Sequence, residues 1–214
     1  LALARNKVFE MVRREILTCE LMPGVELREG ELAQRYGVSK SPVRDAMQKL
    51  EFEGLVEIEP RRGHRVRPIS VRDAEDLLEL RVILEGAVVR KISNEASDEE
   101  LAGLDRFRTA DMSSIEAFAE YNRDFHHALS MLSNNQRLAE ETKRVMEFYD
   151  RLCVISLSTL RQEGGFEGPL ADHNAIIDAI QARNGALAAR LSHKHVTKSR
   201  GQIMRGLESR PIVA

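Results

Sequence analysis

Residues Leu27 to Val66 read LREGELAQRYGVSKSPVRDAMQKLEFEGLVEIEPRRGHRV, and the spacing within this stretch decides the fold. A first helix is predicted from about Arg28 to Tyr36, with Leu32 and Ala33 facing inward. Gly37 supplies the turn, because it takes positive φ without a Cβ clash. Ser39 then stands at the N-cap position of a second helix. Pro42 falls in that helix's first turn, where its missing N–H costs little. Val43, Ala46, Met47 and Leu50 form the buried stripe, which leaves Ser41, Arg44, Asp45 and Gln48 on or beside the exposed side. Leu55–Glu59 and His64–Arg67 are short strand patterns joined by Pro60-Arg-Arg-Gly63, a hairpin signal. Two helices about a tight turn, followed by a small basic hairpin, are the plan of a winged helix-turn-helix, which reads DNA through the major groove.

Working outward, Val8, Met11, Val12 and Ile16 recur at helical spacing and predict a helix over residues 3–18, closed by Pro23-Gly24. Pro68-Ile69-Ser70 marks the expected domain boundary. This gives a DNA-binding domain over 1–68 and an all-helical domain over 69–214. Helices are expected at about 71–94, 98–111, 114–132, 136–161, 169–182 and 184–207. Ser70/Asp73, Ser97/Glu100 and Ser113/Glu116 each fit a capping box. The expected fold is mainly α, a winged helix-turn-helix with a small β-hairpin wing followed by an antiparallel helical bundle.

The 214 residues carry a net charge of −2, with 31% charged and 43% hydrophobic residues. That balance fits a soluble globular protein and excludes bulk electrostatic coating of nucleic acid. The charge is unevenly placed. Residues 1–68 hold 13 Lys+Arg against 11 Asp+Glu, and Arg61, Arg62, Arg65 and Arg67 fall within seven positions. A basic spot on a near-neutral domain suits site-specific docking. No apolar run approaches the roughly 20 residues needed to span a bilayer. The amphipathic N-terminus carries acids and does not read as a signal peptide. The chain begins at Leu1 without a methionine, so a short missing leader is expected. Cys19 and Cys153 form no CxxC pair, which points to buried inert thiols in a reduced, cytoplasmic setting.

A second constellation lies in the helical region. Asn122 and His126 are one turn apart on one helix, whose apolar face is marked by Phe118, Tyr121, Phe125 and Leu129. His173 heads a stripe with Ile176, Ile177 and Ile180. His195 continues a stripe through Ala188 and Leu191. Three imidazoles and an amide oxygen converging from three helices could hold a divalent metal, with zinc first and nickel or manganese as alternatives. The competing reading of each histidine alone is a hydrogen-bonded core residue. His64, His127 and His193 lie off these stripes and are read as exposed or structural. Asp124 and Asp172 are expected to point away from the histidines.

The segment PGVELREGELAQRYGVSKSPVRDAMQKLEFEGLVEIEPRRGHRV resembles the DNA-binding domain of the GntR family of bacterial transcription regulators. LLELRVILEGAVV, YNRDFHHAL and DHNAIIDAIQARNGALAARLSHKHV resemble the FCD effector domain of that family's FadR-like branch. The resemblance implies DNA contacts from Ser39, Lys40, Ser41 and Arg44 in the recognition helix, and from Arg62 and Gly63 in the wing. It implies a metal at Asn122, His126, His173 and His195, where many relatives carry a carboxylate or an amide in the Asn122 slot. A small organic acid is implied beside that metal. Arg81 fits a family position near the effector cavity and could pair with a carboxylate; its alternative is a helix-surface ion pair with Glu85. Arg151 is a second candidate of the same kind. Lys40 and Gly30 stand where relatives often have Arg, so the operator need not be theirs.

These readings imply a regulator, a repressor, acting as a homodimer on a palindromic DNA operator and controlled by a small carboxylate bound beside the metal. A direct metal sensor is the alternative. A metalloenzyme with an open metal position ranks last, since no carboxylate is spaced as a general base.

Overall fold

The computed structural model describes residues 2–59 and 63–208, with no account of the side chains of residues 2–5. Two compact units meet in sequence between Ser70 and Val71.

The N-terminal unit opens with α1 (Ala2–Leu17), followed by β1 (Glu26–Leu27), α2 (Glu29–Tyr36), α3 (Lys40–Phe52), β2 (Val56–Glu59) and β3 (Gly63–Val66). α1 packs on α3, and Val8, Val12, Ile16, Val43, Met47 and Leu50 are fully buried. Met11, expected on the buried stripe of α1, is 36% exposed. Gly37 ends α2 at φ +64, and its N–H and that of Val38 close on the last carbonyls of the helix, as the turn requires. Ser39 takes the extended N-cap conformation of α3, but its side-chain oxygen accepts no cap hydrogen bond. β2 and β3 pair antiparallel, with Val56 opposite Val66 and Glu59 opposite Gly63. β1 adds a third strand on the far side of β3, with Glu26 opposite Arg65 and Leu27 opposite His64. The expected hairpin is thus part of a three-stranded sheet ordered β1-β3-β2.

The second unit is all helical among the described residues. It comprises α4 (Val71–Glu95), α5 (Asp98–Ala102), the 3₁₀ turn Gly103–Phe107, α6 (Ile115–Leu132), α7 (Gln136–Glu163), α8 (Glu167–Gln181) and α9 (Gly185–Glu208). α4 lies against α9 and α7, α6 against α7, and α8 against α9. The helix expected over 98–111 is a single α turn that tightens into the 3₁₀ segment. Leu101, Leu104 and Phe107 are its buried residues, and their spacing of three suits a 3₁₀ repeat better than an α repeat. Ser97 and Glu100 form the expected capping box. At α6 the cap is Ser114, which accepts from the Ala117 N–H, one residue beyond the expected Ser113. Gly164 and Gly165, at φ +137 and +121, separate α7 from α8.

A core of Val88, Val89, Ile92, Phe125, Ile176, Ile177, Ile180 and Ala188 is drawn from α4, α6, α8 and α9. The inward histidines of α6, α8 and α9 sit beside it, with Phe125 stacked on His173 at 4.2 Å. No helix among the described residues is long and apolar enough to cross a membrane. Cys19 and Cys153 are buried and form no disulfide.

Candidate metal centre and nucleic-acid interface

α6, α8 and α9 bring His126, His173 and His195 to one buried point, with one nitrogen from each within 4.8 Å of the others. All three are at most 4% exposed. Each outward Nδ1 faces an oxygen. That of His173 lies 3.2 Å from Tyr121 Oη, that of His195 3.6 Å from Asp172 Oδ2, and that of His126 3.2 Å from Glu85 Oε1. The last contact is too oblique for a hydrogen bond, and the Asp172 contact is too long for one. Both still place a negative charge behind the ring.

Two of the tautomers follow from their contacts. Tyr121 donates its hydroxyl proton to the Phe107 carbonyl at 2.8 Å, so its oxygen can only accept from His173. His173 Nδ1 therefore carries the proton and Nε2 carries a lone pair. At His195 the carboxylate of Asp172 lies on the Nδ1 side, 3.6 Å away. For His126 the evidence is opposite its ring: Arg81 Nη2, which can only donate, lies 2.9 Å from Nε2. Burial first, then the charges of Arg81 and the neighbouring histidines, hold the His126 pKa well below the usual range. His173 is lowered well below it too, by burial, then by His195 and Arg81. At Asp172 burial works upward, but the His195 and Lys198 contacts outweigh it and hold the carboxyl below its ordinary value.

Nε2 of His173 and Nε2 of His195 are 3.3 Å apart. Two ring nitrogens this close must share either a proton or a cation. A metal bonds neutral imidazoles and needs no protonated histidine. Two nitrogens on a tetrahedral zinc-sized ion are about 3.3–3.4 Å apart. The donor set, its spacing and the oxygens behind each ring together fit a divalent metal.

Asn122, one turn from His126, is buried and directs its amide nitrogen to Cys153 Sγ at 3.7 Å. Arg81 is fully buried. It pairs with Glu85 through Nε at 2.5 Å and lies 3.9 Å over the Tyr149 ring. Burial opposes its charge, but Glu85 more than compensates and raises its pKa. The Arg81–Glu85 pair is thus an interior one, not the surface pair that the spacing alone allowed. Burial pushes the Tyr149 hydroxyl up to about 12. Arg151 is buried on α7. His127 and His193 are exposed and His64 half-buried. Asp124 is exposed as expected; Asp172 is not directed away, since it backs His195. Glu85, Tyr121 and Asp172 were not legible as supporting groups, because each meets its histidine across two helices.

In the N-terminal unit, Ser39, Lys40, Ser41 and Arg44 are exposed along the start of α3. Arg44 Nε and Nη2 reach the Glu29 carboxylate at 3.1 and 2.9 Å, and Arg44 holds the Glu29 pKa below the ordinary range. A Cβ at Gly30 would lie 3.7 Å from Lys40 Cε. The two departures from the family pattern are therefore neighbours in space. In the wing, Gly63 is exposed at φ +104, while Arg61 and Arg62 lie outside the described residues. Arg65 is engaged by Glu57 and by Glu59, so part of the wing's positive charge is neutralised within the sheet.

The profile of bacterial regulatory proteins of the gntR family matches residues 4–66, and that of the FCD domain matches residues 76–198. The chain belongs to the GntR family of transcription regulators and carries an FCD domain. This GntR regulator is 28% identical over 196 residues to the HTH-type transcriptional repressor RspR of Escherichia coli K12, covering 89% of this chain and 85% of that one. It is 33% identical over 129 residues to the Nta operon transcriptional regulator of Aminobacter aminovorans, covering 58% and 61%. Escherichia coli McbR/YncC shares its fold at TM-score 0.77 and 18% identity, over 94% of this chain and 97% of that one. A putative GntR regulator from Rhodococcus sp. RHA1 does so at 0.71 and 24% identity, over the same shares. The GntR regulator is accordingly a DNA-binding protein with a candidate three-histidine metal site in its FCD domain.

Proposed function

We propose that this regulator represses a metabolic operon and that a divalent metal at His126, His173 and His195 is its signal. The observation that carries the proposal is the pair of Nε2 atoms of His173 and His195, 3.3 Å apart, in a buried three-histidine cluster with an oxygen behind each ring. That separation favours zinc, with nickel or manganese as alternatives. Asn122 is the candidate fourth ligand through its amide oxygen. A divalent ion would supply a fixed positive charge and a fixed coordination geometry. Tyr121, Asp172 and Glu85 orient the imidazoles that receive it. Ser39, Lys40, Ser41 and Arg44 would meet the operator from α3, with Arg62 and Gly63 reaching it from the wing. Residues 1–68 would thus be the reading domain, and residues 69–214 the sensing and dimerising one.

Repression is supported by the likeness to a protein named as a transcriptional repressor, and control of a metabolic operon by the likeness to the Nta operon regulator. A homodimer is supported by the outer face of α4, which leaves Leu80 45% and Ile83 60% exposed, three residues apart, and its two-fold symmetry would call for a palindromic operator. Placement in the FadR-like branch rests on the sequence resemblance.

A second reading, in which a small organic acid is the effector, is favoured by Arg81. Its Nη1 is buried and has no hydrogen-bond partner, which suits a carboxylate oxygen. Arg151 is the other candidate partner for such an acid. The two readings separate in one titration. DNA selected by the protein from a random pool is bound to metal-stripped protein, and zinc, nickel or manganese is added with no organic ligand. A change in DNA affinity that is lost in His173→Ala supports metal sensing. Unchanged affinity with all three ions rejects it, and the titration is repeated with small carboxylates in the presence of zinc.

A further inference from the structure

Arg81 occupies an unusual place for a buried cation. Its Nη2 donates to His126 Nε2 at 2.9 Å, the same nitrogen that the tautomer argument makes available to a metal. An imidazole nitrogen has one lone pair in the ring plane, so it can accept from Arg81 or bond a metal, and not both. The remaining geometry agrees. His173 and His195 already stand at a tetrahedral edge, 3.3 Å apart, while Nε2 of His126, in the same cluster, is occupied by Arg81. Arg81 is itself held from three sides, by Glu85 at Nε, by the Tyr149 ring beneath its plane, and by His126. Its Nη1 is left without a partner, so the guanidinium is not locked at every nitrogen.

We propose that Arg81 is an internal stand-in for the metal, a latch that must release His126 before the third histidine can close on an ion. The latch rests on the metal reading above and adds its regulation. Arg81 sets the metal concentration at which the site fills, because binding has to break a charge-assisted hydrogen bond and place a second cation beside a buried guanidinium. Arg81 and Glu85 lie on α4, the helix that begins directly after the DNA-binding unit. Release of Arg81 therefore acts on the element through which the chain reaches α3 and the wing.

Zinc affinity of the full chain, measured by competition with a chromophoric chelator, tests the latch. Arg81→Met is expected to bind zinc about 10-fold more tightly than wild type, or more, as expected for loss of a charge-assisted competitor. His173→Ala should lose binding. If Arg81→Met and wild type bind equally, or the variant binds more weakly, the metal reading stands and the latch is wrong. If neither binds zinc, nickel or manganese, the metal reading falls and the latch with it. Arg81→Met leaves the Glu85 charge buried; where circular dichroism shows it unfolded, the double variant Arg81→Met/Glu85→Gln carries the same comparison. A crystal structure of zinc-loaded wild type gives an independent readout. Arg81 Nη2 should stand beyond hydrogen-bond distance of His126 Nε2, and persistence of that contact with zinc on the other two histidines overturns the proposal.

Discussion

Arg44 illustrates how a single residue can be poised for two partners. Its side chain is 61% exposed, yet two of its guanidinium nitrogens rest on Glu29. An exposed pair of this kind adds little to stability, so its release toward a guanine edge is cheap. Arg44→Ala is expected to leave the urea midpoint nearly unchanged and to weaken binding to selected DNA by about 10-fold or more. A gel shift alongside the unfolding curve checks both halves. His126 and His173 behave differently, because burial disfavours their charged forms. His126 and His173 have pKa values depressed in the folded chain, so below the unfolded value of about 6.5 the unfolded state binds more protons than the native one. Each should contribute stability that is present above about pH 6.5 and lost as pH falls toward the folded pKa. Its slope approaches about 1.4 kcal/mol per pH unit. Urea unfolding of metal-stripped protein between pH 7.5 and 5, roughly spanning that window, should show this decline, and His173→Phe should flatten it.

At the scale of elements, the long helices were readable from the sequence because their apolar stripes run for several turns. α6 and α7 begin within a residue of their expected starts, and the turn at Gly37 follows from the one residue that takes φ +64 at no steric cost. The failures share a physical cause. Residues 98–111 hold apolar side chains every three positions, and over so short a span that pattern does not distinguish a 3₁₀ turn from an α-helix. β1 has two residues, too few to show any alternation, and it exists because β3 offers it an edge. Helix seams were equally hidden. α9 passes α7 at Gly206, where a Cβ would fall 2.6 Å from Ile155 Cγ2 and 2.9 Å from Thr159 Oγ1. Gly206→Ala should therefore destabilise the helical unit by about 1–3 kcal/mol despite a gain in helix propensity. Thermal unfolding would show a lower midpoint; an unchanged or raised one would mean that the seam gives way.

For the whole molecule, the DNA-binding helices and the histidine cluster fall in separate units, and α4 opens the second of them. Which residues would form the histidine cluster was legible, since each imidazole lies on its own helix's apolar stripe. What surrounds the cluster was not. Arg81 reaches His126 over 45 residues, and Asp172 on α8 backs His195 on α9; neither pairing leaves a mark at short range in the sequence. Those pairings supply the candidate control, because they make the third histidine answerable to a charge on α4. If metal and DNA are coupled through the fold, the coupling is reciprocal: a metal that alters DNA affinity must have its own affinity altered by DNA to the same degree. The measurement that bears most directly on this is the zinc dissociation constant of the full chain, free and saturated with its selected DNA. The two constants should differ by roughly 5- to 150-fold, and the DNA-affinity shift on zinc addition should match that factor. Equal constants would contradict this coupling, and would leave a DNA-binding protein whose buried histidines play no part in its control.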